Sequence, residues 1–401
     1  MQANISTNNI DAGDTACWGG VFALALGAFA LVASEFMPVS LLTSIATDLH
    51  VSEGQAGQAI AVSGAFALVT SLALSSIAGA IDRKVLLLAL TLLMVVSGTI
   101  AAFAPNYAVF MIGRAFIGVA IGGFWSLSAA TAMRLVPRDQ VPKAMAIVNG
   151  GNALATVVAA PLGSFLGAIV GWRGAFFCLV PVAVIAMAWK AISLPAMPAH
   201  ATHGKRGVFG LLKNPPVALG MLASSLFFLG QFALFTYLRP FLETVTHADA
   251  MTTSLMLLAI GVAGFIGTVL IGALVQHHLY RTLVTIPLAM AAIAIALIVF
   301  GSSTALTAIL LACWGLLGTS APVGWWSWLA RTLPDDAEAG GGLMVAVVQL
   351  AIASGAALGG VLFDSAGYQA TFSMSAGVLI LAAVVAVAAG RVKPTHSKET
   401  T

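Results

Sequence analysis

A single carboxylate, Glu35, lies inside an apolar stretch of this 401-residue chain that is long enough to cross a membrane. The stretch runs from about Trp18 to about Leu42 and contains no other charged residue. An ionised carboxylate near the centre of a membrane helix costs roughly 2.5 kcal/mol or more, and such residues commonly face a water-filled cavity or a partner and take part in proton transfer. The position of Glu35 therefore favours a proton-coupling or substrate site, with a packing hydrogen bond to a neighbouring helix as the alternative.

An arginine and an amide lie at a depth similar to that of Glu35. Glu35 comes seven residues before the predicted end of the first helix, Arg114 six residues after the predicted start of the fourth, and Gln231 nine residues before the end of the seventh. At a rise of about 1.5 Å per residue, Glu35 lies roughly 10 Å from that end of its helix. Because an arginine keeps its charge, we predict that Arg114 acts on the Glu35 carboxylate.

Arg114 begins a stripe of small residues along the fourth helix. Gly118 and Gly122 follow at spacings of four, and Trp125 returns to nearly the same face eleven residues after Arg114. One interpretation is a charge beside an aromatic-lined cavity. The other is glycine-based helix packing, with an arginine that satisfies exposed carbonyl groups.

Several amides, hydroxyls and aromatic rings in the apolar segments are candidates for contact with a neutral polar ligand. Those on the seventh and eleventh helices are Gln231, Thr236, Tyr237 and Gln349. Asn149 and Asn152 lie near the predicted cytoplasmic end of the fifth helix, and either line a cavity or bond a neighbouring helix. Trp325 lies near the end of the tenth helix, where interfacial anchoring and contact with a substrate are both open.

The fifth helix combines small residues with a proline. Gly151 is followed by Pro161 and Gly163. A proline removes a backbone hydrogen bond and kinks the helix, and small residues permit close approach of another helix. We predict a structural role at a gating interface rather than contact with substrate.

The composition is that of a membrane protein, because 60% of residues are hydrophobic and only 8% are charged, against about 25% charged in soluble domains. A spanning helix needs about 20 mostly apolar residues. Twelve segments meet this requirement, at about 18–42, 55–79, 85–103, 108–133, 143–169, 174–193, 216–240, 252–275, 282–300, 304–329, 340–363 and 371–390. The predicted fold class is therefore an all-α membrane protein.

No enzyme chemistry is predicted. The sequence has no phosphate-binding Gly-Lys loop, no metal-ligand cluster and no nucleophile–His–acid set, so an ATP-driven pump is not expected and no cofactor is predicted. The three cysteines have neither disulfide nor metal spacing. The first 17 residues contain no lysine or arginine, which is unlike a cleavable signal peptide.

Loop charges predict the orientation in the membrane. With both termini in the cytoplasm, fourteen lysines and arginines, Lys190 among them, lie on the cytoplasmic side, and only Arg173 and Arg239 lie outside. This is a strong positive-inside signal. The net charge of +3 therefore reflects topology and does not indicate binding to nucleic acid.

The chain divides into two halves that repeat. The longest polar connection, 194–215, separates bundles at 18–193 and 216–390, with tails at 1–17 and 391–401. Residues 160–176 match residues 356–372 at an offset of 196, and the same offset carries Glu35 and Phe36 onto Gln231 and Phe232. We predict duplicated six-helix halves, with the substrate bound between them near the midplane.

These features resemble the major facilitator superfamily. Arg114, Gly118 and Gly122 resemble the fourth-helix motif of its proton-coupled members, and Gly151 with Pro161 resembles the antiporter motif, although Ala160 stands where glycine is usual. The resemblance implies gating roles for the motif residues. They are Gly118, Gly122, Gly151, Pro161, Gly163, Trp172 and Arg173, together with Asp82 and Arg83 from an eroded motif between the second and third helices.

Within that superfamily, Glu35-Phe36-Met37-Pro38 resembles the first-helix signature of the sugar efflux branch. The strings Gly122-Gly123-Phe124-Trp125 and Gly230-Gln231-Phe232-Ala233, among others in both halves, resemble the bacterial purine ribonucleoside efflux permeases. The resemblance implies a monomer in the bacterial inner membrane, a multi-pass protein that exports inosine, guanosine and analogues by proton antiport.

The resemblance also implies roles for the candidate residues. Glu35 would carry the proton and Arg114 would tune it. Stacking on a purine is assigned to Phe36, Phe124, Trp125, Phe235, Tyr237 and Trp325. Hydrogen bonds to base or ribose are assigned to Asn149, Asn152, Gln231, Thr236 and Gln349. An exporter of sugars or amphiphilic drugs is the alternative, and a non-transporting membrane sensor is a third possibility from another class.

Overall fold

The computed structural model describes residues 16–77, 81–137, 140–198, 208–333 and 337–391. The tail positions 1–15 and 392–401 and the linker positions 199–207 lie outside the described residues. Within those ranges the regular structure is helical. The α-helices are α1 (Trp18–Leu49), α2 (Glu53–Ile77), α3 (Arg83–Ala102), α4 (Tyr107–Leu135), α5 (Val141–Ser193), α6 (Pro215–Thr236), α7 (Leu238–Thr244), α8 (Ala250–Phe300), α9 (Thr304–Thr332) and α10 (Ala337–Arg391), with a 3₁₀ helix at Val208–Lys213.

Three of these helices each cross the membrane twice. Helices α5, α8 and α10 contain 53, 51 and 55 residues. Such helices are about 75–80 Å long, more than twice the thickness of about 30 Å of a bilayer core. Each is interrupted by a residue with non-helical backbone angles, at Gly171, His278 and Gly367. The described chain therefore crosses twelve times, as the twelve apolar segments predicted.

The breaks in α5 and α10 are equivalent in the repeat. Gly171 has φ 74° and ψ 166°, and Gly367 has φ 75° and ψ −176°; only glycine adopts this region readily. The offset of 196 carries one onto the other. An edge-to-face aromatic pair follows each break, Trp172 with Phe176 and Tyr368 with Phe372. The prediction of two duplicated six-helix halves is confirmed.

The two halves meet through small residues near the middle of their helices. A methyl group added at Gly64 of α2 would lie 3.0 Å from the backbone oxygen of Gln349 in α10. One added at Gly261 of α8 would lie 2.6 Å from the backbone of Val157 in α5. These close approaches let α2 pack on α10 and α5 on α8. The two helix pairs thereby join the N-terminal half of the chain to the C-terminal half.

Lys190 is a buried helix residue, so counting it among the loop charges of the cytoplasmic side was wrong. It lies on the inward face of α5 with 0% exposure. Its Nζ donates to Thr91 Oγ1 at 2.9 Å and lies 5.1 Å from the centre of the Phe124 ring. Position near a helix end suggested a solvated charge, but the long side chain extends into the bundle, where Gly27 leaves room for it.

We expect the Gly367→Ala variant to be destabilised by about 1–3 kcal/mol, because alanine is strained in the backbone region that Gly367 occupies. Gly377→Ala in the same helix is the control, since Gly377 has ordinary helical geometry and open space around it. Apparent Tm values in detergent measure both changes. Equal Tm values for the two variants would contradict a conformational requirement at Gly367.

Candidate functional site

Pro38 interrupts the hydrogen-bond ladder of α1 at the level of Glu35. A proline has no N–H, so the backbone oxygen four residues earlier, that of Ser34, loses its usual helical donor. Arg114 of α4 supplies the missing donor. Its Nη1 donates to Ser34 O at 2.8 Å, and its Nη2 donates to the backbone oxygen of Glu35 at 3.0 Å.

The same guanidinium also reaches α2. Its Nε donates to Ala59 O at 3.2 Å and its Nη2 to Ser63 Oγ at 3.2 Å, with Arg114 only 1% exposed. One buried side chain therefore joins α1, α2 and α4. The charge is distributed over oxygen atoms of the backbone and a hydroxyl, and the Glu35 carboxylate is not among its hydrogen-bond partners in the described chain.

Two glycines place α4 against α2 so that Arg114 can make these bonds. A methyl group at Gly118 would collide with the backbone oxygen of Ser63, and one at Gly122 with that of Ala67. The two glycines, four residues apart on α4, contact Ser63 and Ala67, which are four residues apart on α2. This geometry is that of glycine packing with an arginine that satisfies exposed carbonyl groups.

The side chain of Glu35 crosses to the other half of the protein. It is 4% exposed, and its Oε1 accepts a hydrogen bond of 3.4 Å from Gln349 Nε2 on α10. The Arg114 guanidinium bonds the backbone oxygen of Glu35, so its charge is close enough to act on the carboxylate. A titratable group of the first half is thus bonded directly to an amide of the second.

An aromatic contact crosses the interface beside Glu35. Phe36 stacks on Phe232 with ring centres 5.5 Å apart and planes at 25°, and Phe232 meets Phe235 edge to face at 6.0 Å. Phe36 and Phe232 are equivalent positions of the repeat. Phe232 was not among the predicted site residues, although the offset of 196 pointed to it.

Two amide oxygens, one at this interface and one on α6, have no hydrogen-bond partner in the described residues. They are Gln349 Oε1 and Gln231 Oε1, and both atoms are buried. The Gln231 side chain packs against α9, because a methyl group added at Gly318 would lie 2.9 Å from Gln231 Nε2. Buried polar atoms without partners are rare in folded proteins. These oxygens are therefore acceptors that a ligand with N–H or O–H groups can satisfy.

Other predicted ligand contacts lie away from this layer or are already engaged. Phe124 is 2% exposed inside the first half, where it meets the half-buried Trp125 edge to face at 5.5 Å. Trp325 is 3% exposed and packs on Trp328 within the second half. Thr236 donates to the backbone oxygen of Phe232 in its own helix at 2.6 Å.

The two asparagines of α5 are the more accessible candidates. Asn149 is exposed and Asn152 half-buried. They lie twelve and nine residues before Pro161, toward the end of α5 that begins at Val141. Their position is separate from the layer of Glu35 and Gln349.

Tyr237 belongs to a set of polar contacts that joins the halves on the side of the membrane holding residues 50–52, which we call the sealed face. Its hydroxyl donates to Ala356 O at 2.7 Å and lies 3.4 Å from Gly54 O. Its ring stacks on Phe363. Tyr237 is 0% exposed, so it contributes to closure of this face.

A carboxylate completes the sealed face. Asp364 of α10 accepts from the Gly54 N–H at 2.9 Å and from the Ser52 hydroxyl, so it caps the N-terminus of α2 from the other half. Gln58 donates to Ala357 O at 3.3 Å, and Arg239 donates to Ser40 O. Within the described residues, the hydrogen bonds that join the two halves are found from the sealed face inward as far as the Glu35–Gln349 contact, and none lies beyond it. The interface is therefore closed on this side.

The residues predicted to act in gating form contacts inside the first half. Asp82 caps α3 by accepting from the Lys84 N–H at 2.7 Å, and also accepts from the Met197 N–H at 2.9 Å. The backbone N–H of Arg83 donates to Met197 O. Asp82 thus fastens the segment after α5 to the start of α3.

The α5 residues of the predicted gate pack on α1. A methyl group at Gly151 would collide with the backbone of Ala25, and Gly163 lies against Ser40, while Pro161 stands between them in the helix. At the break in α5, two residues contact Asp48 near the end of α1. Trp172 Nε1 donates to the Asp48 carboxylate at 3.2 Å, and Arg173 forms an ion pair with it.

Comparison with known proteins identifies relatives along nearly the whole chain. The sequence profile of the Major Facilitator Superfamily matches residues 24–353. The Transcription regulatory protein OpdE of Pseudomonas aeruginosa is 62% identical over 393 residues, covering 97% of this chain and 98% of that protein. The Purine ribonucleoside efflux pump NepI of Salmonella paratyphi B is 41% identical over 377 residues, covering 94% and 95%. The protein of that name from Salmonella typhimurium is also 41% identical.

A solved structure is similar in fold. The crystal structure of a D-xylose-proton symporter superposes with a TM-score of 0.74, covering 93% of this chain and 97% of that one. The two sequences are 16% identical. The likeness therefore establishes the arrangement of the helices and nothing about the ligand.

We expect Arg114→Lys to lower stability by about 1–3 kcal/mol for each buried carbonyl oxygen left unpaired, since lysine lacks the fork that reaches all the acceptors. Pro38→Ala restores an N–H for Ser34 O. It should therefore cost about 1 kcal/mol less in the Arg114→Lys background than in the wild type. Pro287→Ala, a proline change within α8, is the control and should be additive with Arg114→Lys. Unfolding Tm values of the single and double variants test this coupling, and additivity for Pro38→Ala would refute it.

We expect Asp364→Asn to favour opening of the sealed face, because it weakens the cap that joins α10 to α2. A cap contributes about 1 kcal/mol, which changes the ratio of two states about fivefold. Spin labels at Ala108 and Ser302, both exposed on this face, should report a larger population of long distances in a cysteine-free background. Ser365→Ala, whose hydroxyl bonds only its own helix, is the control and should keep the wild-type distances. Unchanged distances in Asp364→Asn would count against the cap.

Proposed function

Because this chain belongs to the Major Facilitator Superfamily and is a membrane transporter rather than an enzyme, we propose that it is a proton-coupled antiporter that exports purine ribonucleosides such as inosine and guanosine. The contact between Glu35 and Gln349 across the two halves carries this proposal. A carboxylate with 4% exposure at a moving interface is placed to take up and release a proton as the interface opens to either side.

The proposed substrate class is supported by relatives and by the groups at the interface. Proteins that are 41% identical over most of the chain are named purine ribonucleoside efflux pumps. Phe36, Phe232 and Phe235 offer rings for stacking on a base. The free oxygens of Gln231 and Gln349 accept from base N–H or ribose O–H groups. Aromatic rings with a few placed polar groups are typical of small-molecule sites.

The remaining predicted contact residues are not assigned to the nucleoside site itself in this proposal. Asn149 and Asn152 on α5 are accessible enough to meet a nucleoside on its way to the Glu35 layer. Trp125 is half-buried at the same helix face as Arg114. Thr236 and Tyr237 already bond backbone oxygens, so we assign them to packing and closure. Phe124 and Trp325 are assigned to the interiors of the two halves.

We place the protein in the bacterial inner membrane as a monomer, with both termini in the cytoplasm and with the bundles and tails divided as the sequence predicts. In this orientation the sealed face is the outer face. The interface is then closed toward the outside, so a nucleoside would enter from the cytoplasm. Opening of the sealed face would release the nucleoside as Glu35 is protonated from outside.

A membrane sensor is the second candidate, because a relative that is 62% identical is named a transcription regulatory protein. Such a protein would bind a ligand and change conformation without moving the ligand across the membrane. An exporter of sugars or amphiphilic drugs would keep the transporter class with another substrate. Flux through the purified protein distinguishes these three possibilities.

We expect purified protein in proteoliposomes to move radiolabelled inosine against its own gradient when a pH gradient is imposed, and a protonophore to abolish this movement. Glu35→Gln should retain exchange of inosine for inosine but lose uphill movement to the level of protein-free liposomes, because glutamine does not titrate. Glu53→Gln at the start of α2 is the control for the same chemical change elsewhere.

The outcomes of this experiment test the role of Glu35 and distinguish the three candidate functions. Uphill movement by Glu35→Gln would exclude Glu35 as the proton carrier. Movement of a sugar or a cationic drug instead of inosine would remove the purine assignment. Binding of a ligand without flux under any gradient would favour the sensor.

A further inference from the structure

The side-chain amide of Gln349 has one bonded and one unbonded polar atom. Its Nε2 lies 3.4 Å from Glu35 Oε1, while its Oε1 is buried without a hydrogen-bond partner in the described part of the chain. Both side chains are more than nine-tenths buried, since Glu35 is 4% and Gln349 6% exposed. Glu35 lies on α1 and Gln349 on α10, so the amide stands at the boundary between the halves.

The orientation of this amide depends on the protonation state of Glu35. An ionised carboxylate only accepts hydrogen bonds, so the amide nitrogen faces it and the amide oxygen points away. A protonated carboxyl group has an O–H donor, for which the amide oxygen is the better partner. The nitrogen and oxygen of an amide are nearly equal in size, so half a turn about the last torsion angle exchanges them within the same packing.

We propose that Gln349 couples protonation of Glu35 to ligand binding by turning its amide. When Glu35 is ionised, Gln349 presents its oxygen to the ligand and accepts from a ligand N–H or O–H group. When Glu35 takes up a proton from water on the open side, its O–H donates to that oxygen, and the amide nitrogen takes the place facing the ligand. A ligand donor then meets a protein donor, so the proton and the ligand exclude each other without touching.

Among the groups around Glu35, the Gln349 amide is the one that can change its hydrogen bond when Glu35 takes up a proton. Arg114 of α4 is the charged side chain that acts on Glu35 in the described residues. Its nitrogens are held by the oxygens of Ser34, Glu35 and Ala59 and by the Ser63 hydroxyl. These bonds join three helices and do not involve the carboxylate. Gln349 bonds the carboxylate itself and keeps its other end free.

This inference rests on the proposed proton and nucleoside antiport, and it adds a specific requirement on the ligand. The ligand must bring a hydrogen-bond donor to Gln349, as inosine and guanosine do with ring N–H and ribose O–H groups. A ligand with only acceptors at that position would bind best when Glu35 is protonated. Its coupling to the proton would then have the opposite sign.

Binding of radiolabelled inosine to purified protein, measured against pH, tests the relay. In the wild type, affinity should fall about tenfold for each pH unit below the point at which Glu35 takes up its proton. Gln349→Met keeps the shape of the side chain without the amide, and should bind inosine with one affinity over the same range. Gln276→Met, at an exposed position of α8, should behave as the wild type. A pH dependence in Gln349→Met equal to that of the wild type overturns the proposal.

An infrared measurement tests the same relay without any ligand. Difference spectra between acid and alkaline samples should contain the C=O stretch of protonated Glu35, identified by its loss in Glu35→Gln. In Gln349→Met this band should move to higher frequency, because the carboxyl group loses its hydrogen-bond partner. Gln349→Asn, whose shorter side chain does not reach Glu35, should show the same shift if the methionine variant does not fold.

The two measurements separate failure of this inference from failure of the purine assignment. An unchanged Glu35 band in both Gln349 variants overturns the relay, whatever the ligand proves to be. A shifted band in a protein that binds no inosine at any pH supports the bond between Glu35 and Gln349, and removes inosine as the ligand.

Discussion

The bond between Arg114 and the carbonyl oxygen freed by Pro38 is the interaction on which the site depends. Proline leaves Ser34 O without a helical donor, and a low-dielectric interior makes an unpaired carbonyl costly. Arg114 of α4 donates a hydrogen bond to this oxygen and also donates to a backbone oxygen of α2. The turn that carries Glu35 is thereby held by two neighbouring helices. Glycines at 118 and 122 are needed because the backbones of α4 and α2 must approach closely for one side chain to span them.

The duplicated halves explain why the interface has its composition. Equivalent positions meet each other, since Phe36 stacks on Phe232 and these two residues are related by the offset of 196. The residues just before them have diverged, to a carboxylate in one half and an amide in the other. A pseudo-symmetric frame therefore carries an asymmetric pair of polar groups. One half therefore carries a group that can ionise at this position, and the other half carries a group that cannot.

The polar contacts between the halves hold the sealed face closed and differ in kind from the contacts inside each half. On the sealed face, Asp364 caps α2, Arg239 bonds Ser40 O, and the Tyr237 hydroxyl, which donates to Ala356 O, lies 3.4 Å from Gly54 O of the other half. Such bonds are individually modest and can be exchanged for bonds to water when the face opens. Contacts inside each half are of another kind. Lys190 contacts Thr91 and Phe124 inside the first half, and each of the three is at most 2% exposed.

The twelve crossings, the repeat, and the common depth of Glu35, Arg114 and Gln231 can be predicted from the sequence alone. Each of these follows from distances along a helix and from the thickness of the bilayer, which are properties of the chain and its solvent. The tertiary structure alone decided that Arg114 bonds carbonyl oxygens, that Gln349 is the partner of Glu35, and that Lys190 is buried. The choice of partner depends on which face of a helix meets which neighbour, and on how closely glycines let the backbones approach. The spacing of residues along one helix does not predict which residue of a neighbouring helix they contact.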